Sequence, residues 1–320
     1  MIIRLLSLLL VAQLAVAAYL YWPKTVERSA PDALATLASD TVAQLTVSDG
    51  ESAVTLTRAG DGWALEDGLP ADPIKVGGVL QALTKQQPGY PIANSASAAQ
   101  RFEVAEDDFQ RRIELASADG VQTVYLGTSP AFRKIHARRS GDDSVYLLEL
   151  NSYDAPTASA SWLDRSLAAI TDITTLNLAG RSFVLADGEW RDDSDQAADA
   201  NAMEDLVQAL SRLQVTGIAS DEDRQLWEAG ETSLRVTAGR GNGDEVTLLL
   251  RENDGRYFLL SSAFEPLFTL SAYDAERLTD ARENIVQTPD TGAREMTEEE
   301  SATAADQSDP VSYTHLRAHE

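Results

Sequence analysis

Any acid–base or nucleophilic chemistry in this chain has one imidazole to work with. The 320 residues include three histidines and no cysteine. His315 and His319 fall in the last ten residues, VSYTHLRAHE, which match one reading frame of a common transposase-type sequencing adapter and read as foreign to the protein. A Ser-His-Asp site would therefore have to use His136. The lack of cysteine excludes disulfides, thiolate zinc sites, iron–sulfur clusters, thiol catalysis and a lipidated N-terminal Cys. Gly127-Thr128-Ser129-Pro130-Ala131 approaches a nucleophile elbow. However, Ala131 replaces the last glycine, Pro130 follows the serine, and no helical pattern begins there. The segment reads as a tight turn. Gly239-Arg240-Gly241-Asn242-Gly243 lacks the lysine and helix of a phosphate-binding loop and reads as a hairpin turn. Glu106-Asp107-Asp108, Asp192-Asp193 and Asp221-Glu222-Asp223 lack calcium-loop spacing, so solvated acidic loops are predicted. No catalytic residue, metal or cofactor is assigned.

The strongest binding candidate is cationic. Arg133, Lys134, His136, Arg138 and Arg139 crowd into seven positions of an acidic chain. In a strand, Lys134, His136 and Arg138 share one face, and Arg133, Ile135 and Arg139 share the other. Two readings stay open. The strip could dock an anionic ligand, a carboxylate-rich partner or lipid headgroups. It could equally be a solvated edge strand that uses charge against aggregation and pairs locally with Asp142-Asp143.

The elements that must position these residues come in two copies. Asp61-Gly62-Trp63 answers to Asp187-Gly188-Glu189-Trp190, with Trp63 and Trp190 127 residues apart. At the same offset Asp72 answers to Asp199, and VLQALTK (79–85) to LVQALSR (206–212). Val76, Val79, Leu80 and Leu83, and likewise Met203, Leu206, Val207 and Leu210, make apolar stripes at helical spacing. Asp72 and Asp199 stand at the N-cap positions of these helices, and Pro73 suits the first turn. Alternating segments precede each helix and Gly-bearing hairpins follow it. SVYLLEL (144–150) and RYFLLSS (256–262) close the units, Tyr146 answering to Tyr257 at an offset of 111. The shorter offset places an insertion in the first copy around 126–143. Trp63 and Trp190 fit core packing better than exposed binding. Trp162, in SWLDRSL, is placed to hinge the units. The predicted fold class is α+β: a tandem duplication of a meandering antiparallel sheet with one amphipathic helix per unit, behind an N-terminal transmembrane helix.

The ends are set apart from these units. Residues 5–22 carry no charge, and Tyr19, Tyr21 and Trp22 cluster at the distal end like an interfacial belt. An uncleaved anchor is predicted over 1–22, with a signal peptide cut near Ala15-Val16-Ala17 as the alternative. The predicted organisation continues with a linker (23–42), a first repeat (43–170), a second repeat (171–286), a disordered acidic tail (287–310) and the adapter-like residues 311–320. The whole chain has 26 Lys+Arg against 51 Asp+Glu, a net charge of −25, of which residues 23–286 carry −20. That balance argues against nucleic acid as a partner. The βαβ alternation of a two-lobed periplasmic binding protein is missing.

With the GW-type turn, the VLQAL helix, LGTSPAFRKIHARR with SVYLLEL, and ASWLDRSL (160–167), the sequence resembles the bacterial domain-of-unknown-function 4340 family over roughly residues 1–286. The resemblance implies a single-span protein of the Gram-negative inner membrane with most of its chain in the periplasm. It further implies a place beside gliding-motility-type ABC transporter components, a permease and an auxiliary subunit. The expected function is a non-enzymatic accessory, scaffold or binding subunit of an ABC-type export system, held to the inner membrane through residues 5–22. The alternative is a cell-envelope hydrolase using His136.

Overall fold

A computed structural model describes residues 10–17, 19 and 33–287. It is an α+β fold with two antiparallel sheets. In the first, β1 (Gln44–Ser48), β2 (Ala53–Ala59) and β3 (Gly62–Ala64) form a meander. The chain then runs through α1 (Pro73–Thr84) and α2 (Ala96–Arg101) into β4 (Arg111–Ser117), β5 (Gly120–Leu126), β6 (Ile135–Arg139) and β7 (Tyr146–Leu148). Because β4 pairs with β1, the spatial order is β3-β2-β1-β4-β5-β6-β7.

The second sheet begins with β8 (Ile173–Leu178), β9 (Arg181–Ala186) and β10 (Glu189–Asp192). There follow α3 (Ala200–Ser211), β11 (Val215–Ile218) and α4 (Asp221–Ala229). The sheet is completed by β12 (Glu231–Arg240), β13 (Glu245–Asn253), β14 (Arg256–Ser261) and β15 (Phe268–Leu270), and α5 (Ala272–Gln287) closes the described chain. Its order is β10-β9-β8-β12-β13-β14-β15-β11. The two sheets share one strand order, except that β11 extends the second.

Alternation explains the strands. Leu45 and Val47 of β1, and Val54 and Leu56 of β2, all face the core. Each such side chain contributes about 1.5–3 kcal/mol by leaving water. Asp49 closes the hairpin by accepting from the Glu51 and Ser52 N–H groups. The bond from Ser52 foremost, then one from the Thr157 hydroxyl, holds its carboxyl below the usual range. Asp72 accepts from Ile74 N and Lys75 N at the start of α1, and Asp199 from Ala202 N at the start of α3. Trp63 is buried and Trp190 half-buried against the same core, which joins residues of both sheets.

The segment after the first sheet clasps both units. Trp162 is fully buried, and its indole N–H donates to Pro156 O at 2.8 Å. Leu163 bridges Ala71, Asp72 N donates to Trp162 O, and Asp164 N donates to Pro70 O. A few residues on, Ile170 N donates to Leu210 O and Val215 N to Arg165 O, reaching the end of α3.

Several expectations need correction. One helix per unit is too few. The first sheet also carries α2, and the second carries α4 and α5, with α5 packed on α3, β12 and β14. These helices escape periodicity because their apolar faces are thin: α4 reads DEDRQLWEA and starts from a Ser220/Asp223 capping box instead. Tyr146 and Tyr257 do not occupy equivalent places, for β7 matches β15 and β6 matches β14 in strand order. Both segments alternate in the same way, and alternation alone does not fix a position in a sheet. Residues 33–42, expected as linker, belong to the fold: Leu34, Ala35 and Val42 are buried, and Ala35 N donates to Leu83 O. Of the expected anchor, residues 10–17 and 19 are helical, while 5–9, 18 and 20–22 lie outside the described residues. Among the described residues no helix is long and apolar enough to cross a membrane. The acidic tail from 288 on and the adapter-like end also lie outside the described residues.

Candidate functional site

The strand within the cationic run is not an edge strand, and two of the five candidates, His136 and Arg138, are not solvated. β6 is paired on both sides, with β5 and with β7. Ile135 and Ala137 point into the main core. His136 and Arg138 occupy the opposite face and are also buried, at 6% and 7% exposure. They are covered by residues 93–109, a segment containing α2 that lies over the outer face of the sheet. Ala99, Val104, Ala105, Tyr125 and Val145 make a second small core beneath it, with Phe102 and Phe109 at its border. This cover buries the end of β5 and most of β6 on both faces, which a strand pattern cannot reveal.

Each buried cation-forming residue holds part of the cover. The His136 ring stacks on Phe102 with centroids 4.2 Å apart, and the Arg101 guanidinium lies 4.6 Å from the centroid of the same Phe102 ring. His136 Nδ1 and Thr128 Oγ1 share a hydrogen bond of 2.8 Å. Burial pushes the imidazole below its ordinary pKa, a hydrogen bond with Thr128 opposes the shift, and the charge of Arg101 adds to it. Arg138 Nε donates to Val104 O at 2.7 Å and Nη1 donates to Asp142 O at 2.9 Å. Its guanidinium lies 5.1 Å over the Tyr125 ring.

The remaining candidates separate from these two. Arg133 and Lys134 precede the strand, in a turn closed by Lys134 N donating to Ala131 O at 3.1 Å. Arg133 takes φ +54, a left-handed conformation that side chains disfavour, and Phe132 beside it is 89% exposed. Lys134 Nζ meets Glu149 Oε1 at 2.7 Å, and this bond holds the Glu149 carboxyl below its usual range. Arg139 lies 3.6 Å from Asp142, the local pairing considered for the edge-strand reading.

Gly127 has a structural reason of its own. A β-carbon there would sit 2.0 Å from Phe102 O and 2.4 Å from Glu103 O. Thr128 N donates to that same Phe102 carbonyl. The glycine lets the cover's backbone touch the sheet. Thr128 is the hydroxyl at His136, and Ser129 is exposed.

Beside α2 opens a cleft of about 530 Å³, with Ser97, Gln100, Glu106, Asp107, Arg138 and Asp143 among its lining residues. Gln100 Nε2 donates to Asp107 and Ser140 Oγ to Glu106. The residues that sequence reading missed here are Phe102, Val104 and Thr128. The signal was a glycine directly after a buried strand. The acidic loops differ as well: Asp223 is buried, capped by Ser220 and paired with Arg256 rather than solvated. Among the described residues no three His, Cys, Asp or Glu side chains converge as a metal site.

A family model described as Domain of unknown function (DUF4340) matches residues 65–230. No curated protein and no solved structure matches the chain.

Proposed function

This chain belongs to the DUF4340 family, and on that premise we propose that it is a non-enzymatic binding or scaffold domain of an ABC-type export assembly. In this reading residues 5–22 hold it in the inner membrane, the bulk of the chain is periplasmic, and the permease and auxiliary subunits are its partners. The two units arose by tandem duplication, a view supported by their common strand order and by the paired caps Asp72 and Asp199.

One observation carries the binding reading. The residues best equipped for chemistry, His136 and Arg138, are built into the packing beside an open cleft, and the matched family segment contains them. Such an arrangement suits holding a ligand or partner on a rigid sheet. A hydrolase using His136 has less support. Its Nδ1 is engaged by Thr128, its ring is stacked on Phe102, and no hydrogen bond joins it to Ser129.

Affinity capture of the full chain from detergent-solubilised membranes tests the proposal. Recovery of an ABC permease or its ATPase is the expected result. Their consistent failure to appear, with the bait intact, would overturn the export role.

A further inference from the structure

A buried charge is normally paired. Arg138 is buried, yet among the described residues no carboxylate is within ion-pair distance of it. Two carbonyls, Val104 O and Asp142 O, take the Nε and one Nη1 hydrogen. Among the described residues Nη2 has no hydrogen-bond partner, and it is not among the fully enclosed polar atoms left unsatisfied. Arg138 is among the residues that line the cleft, and Nη2 is the nitrogen it has left to offer there. A planar guanidinium edge presenting free N–H groups is a receptor for an oxyanion.

The rest of the lining carries the opposite sign. Glu106, Asp107 and Asp143 stand around the same opening, and Asp143 is exposed with no hydrogen bond or ion pair of its own. A simple anion would meet Arg138 but be repelled by three carboxylates. A simple cation would meet the carboxylates but leave Arg138 unpaired. We propose that the cleft binds a small zwitterion, its carboxylate or phosphate on Arg138 and its ammonium against the acidic residues led by Asp143. The volume of about 530 Å³ is in the range of small-molecule sites. This inference stands on the cleft and goes beyond the export role proposed above.

Ligand-observed saturation-transfer NMR and calorimetric titration on the full chain test it. The probes are β-alanine, O-phosphoethanolamine, acetate and methylammonium. At least one zwitterion is expected to bind about tenfold or more tightly than either singly charged probe, as one added charge-assisted contact would give. Preference for β-alanine identifies a free amino acid as the source, and preference for O-phosphoethanolamine a lipid headgroup. Asp143→Asn is expected to weaken the zwitterion and, by removing one repelling carboxylate, to strengthen acetate. Ser97→Trp, on the exposed wall, is expected to block all binding while the thermal melt stays that of the wild type. Arg138→Lys is expected to lose the zwitterion, and the two surface variants decide the matter if that variant fails to fold. Acetate binding as tightly as both zwitterions, no transfer to either zwitterion, or unchanged binding in Ser97→Trp would overturn the proposal. None of these results bears on capture of an export partner, so the two claims fail separately.

Discussion

At the scale of single residues, Gly127 and His136 hold the cover to the sheet. Gly127 leaves room for the carbonyls of Phe102 and Glu103 where no β-carbon fits. Gly127→Ala is expected to lower stability by about 1–3 kcal/mol, the range for overpacking, because backbone rather than a flexible side chain must give way. Urea denaturation checks it, and an unchanged midpoint would mean that the cover does not rest on the sheet. His136 supplies a pH dependence with a definite sign. Its folded pKa lies below its ordinary value, so between the two the unfolded or opened state binds more protons. The stability it contributes is complete above about pH 6.5 and is lost as pH falls through that value towards the folded pKa. Corrected for the intrinsic slowing of amide exchange in acid, the protection of residues 93–109 should fall on acidification more in the wild type than in His136→Gln. Equal pH responses would remove His136 from the contact.

Elements show where the sequence was legible and where it was not. The helices α1 and α3 were readable because an aspartate cap, an apolar stripe and a shared offset agree at each. The meander strands were readable from alternation and glycine turns. The cover was not. Its helix has six residues, its cap is a lone serine, and its apolar side chains become meaningful only against Tyr125 and Val145. The strand β6 illustrates the same limit. Its charges look solvated in one dimension, yet a segment some thirty residues earlier supplies Val104 O to Arg138 and Phe102 to His136. Long-range partners of buried polar groups leave no local pattern. The clasp gives the element-scale test. Trp162 is fully buried where residues 159–170 meet both units, so Trp162→Ala should cost about 3–5 kcal/mol. Tyr153→Ala nearby in sequence is 89% exposed and should stay within about 0.5 kcal/mol. Thermal or chemical unfolding compares the pair, and equal losses would show that the clasp carries no load.

Over the whole molecule, two sheets of like strand order differ most at one place. The first carries a cover that seals β6 and flanks a cleft, and the second uses the corresponding stretch for β11 and α4. The common strand order supplies the frame, and the proposed binding cleft lies where the two sheets differ. The acidic charge of −20 over residues 23–286 makes a free guanidinium edge in that cleft a rare attractive point for an oxyanion. Everything proposed for the site depends on the cationic strand being a buried fastening rather than an exposed strip. Hydrogen-exchange mass spectrometry across the full chain, comparing the wild type with Arg138→Gln, addresses that dependence directly. The expected result is faster exchange confined to residues 93–109 and 140–145, with β12, β13 and β14 unchanged. Unchanged exchange over 93–109 would contradict the account, because Arg138 would then hold nothing in place.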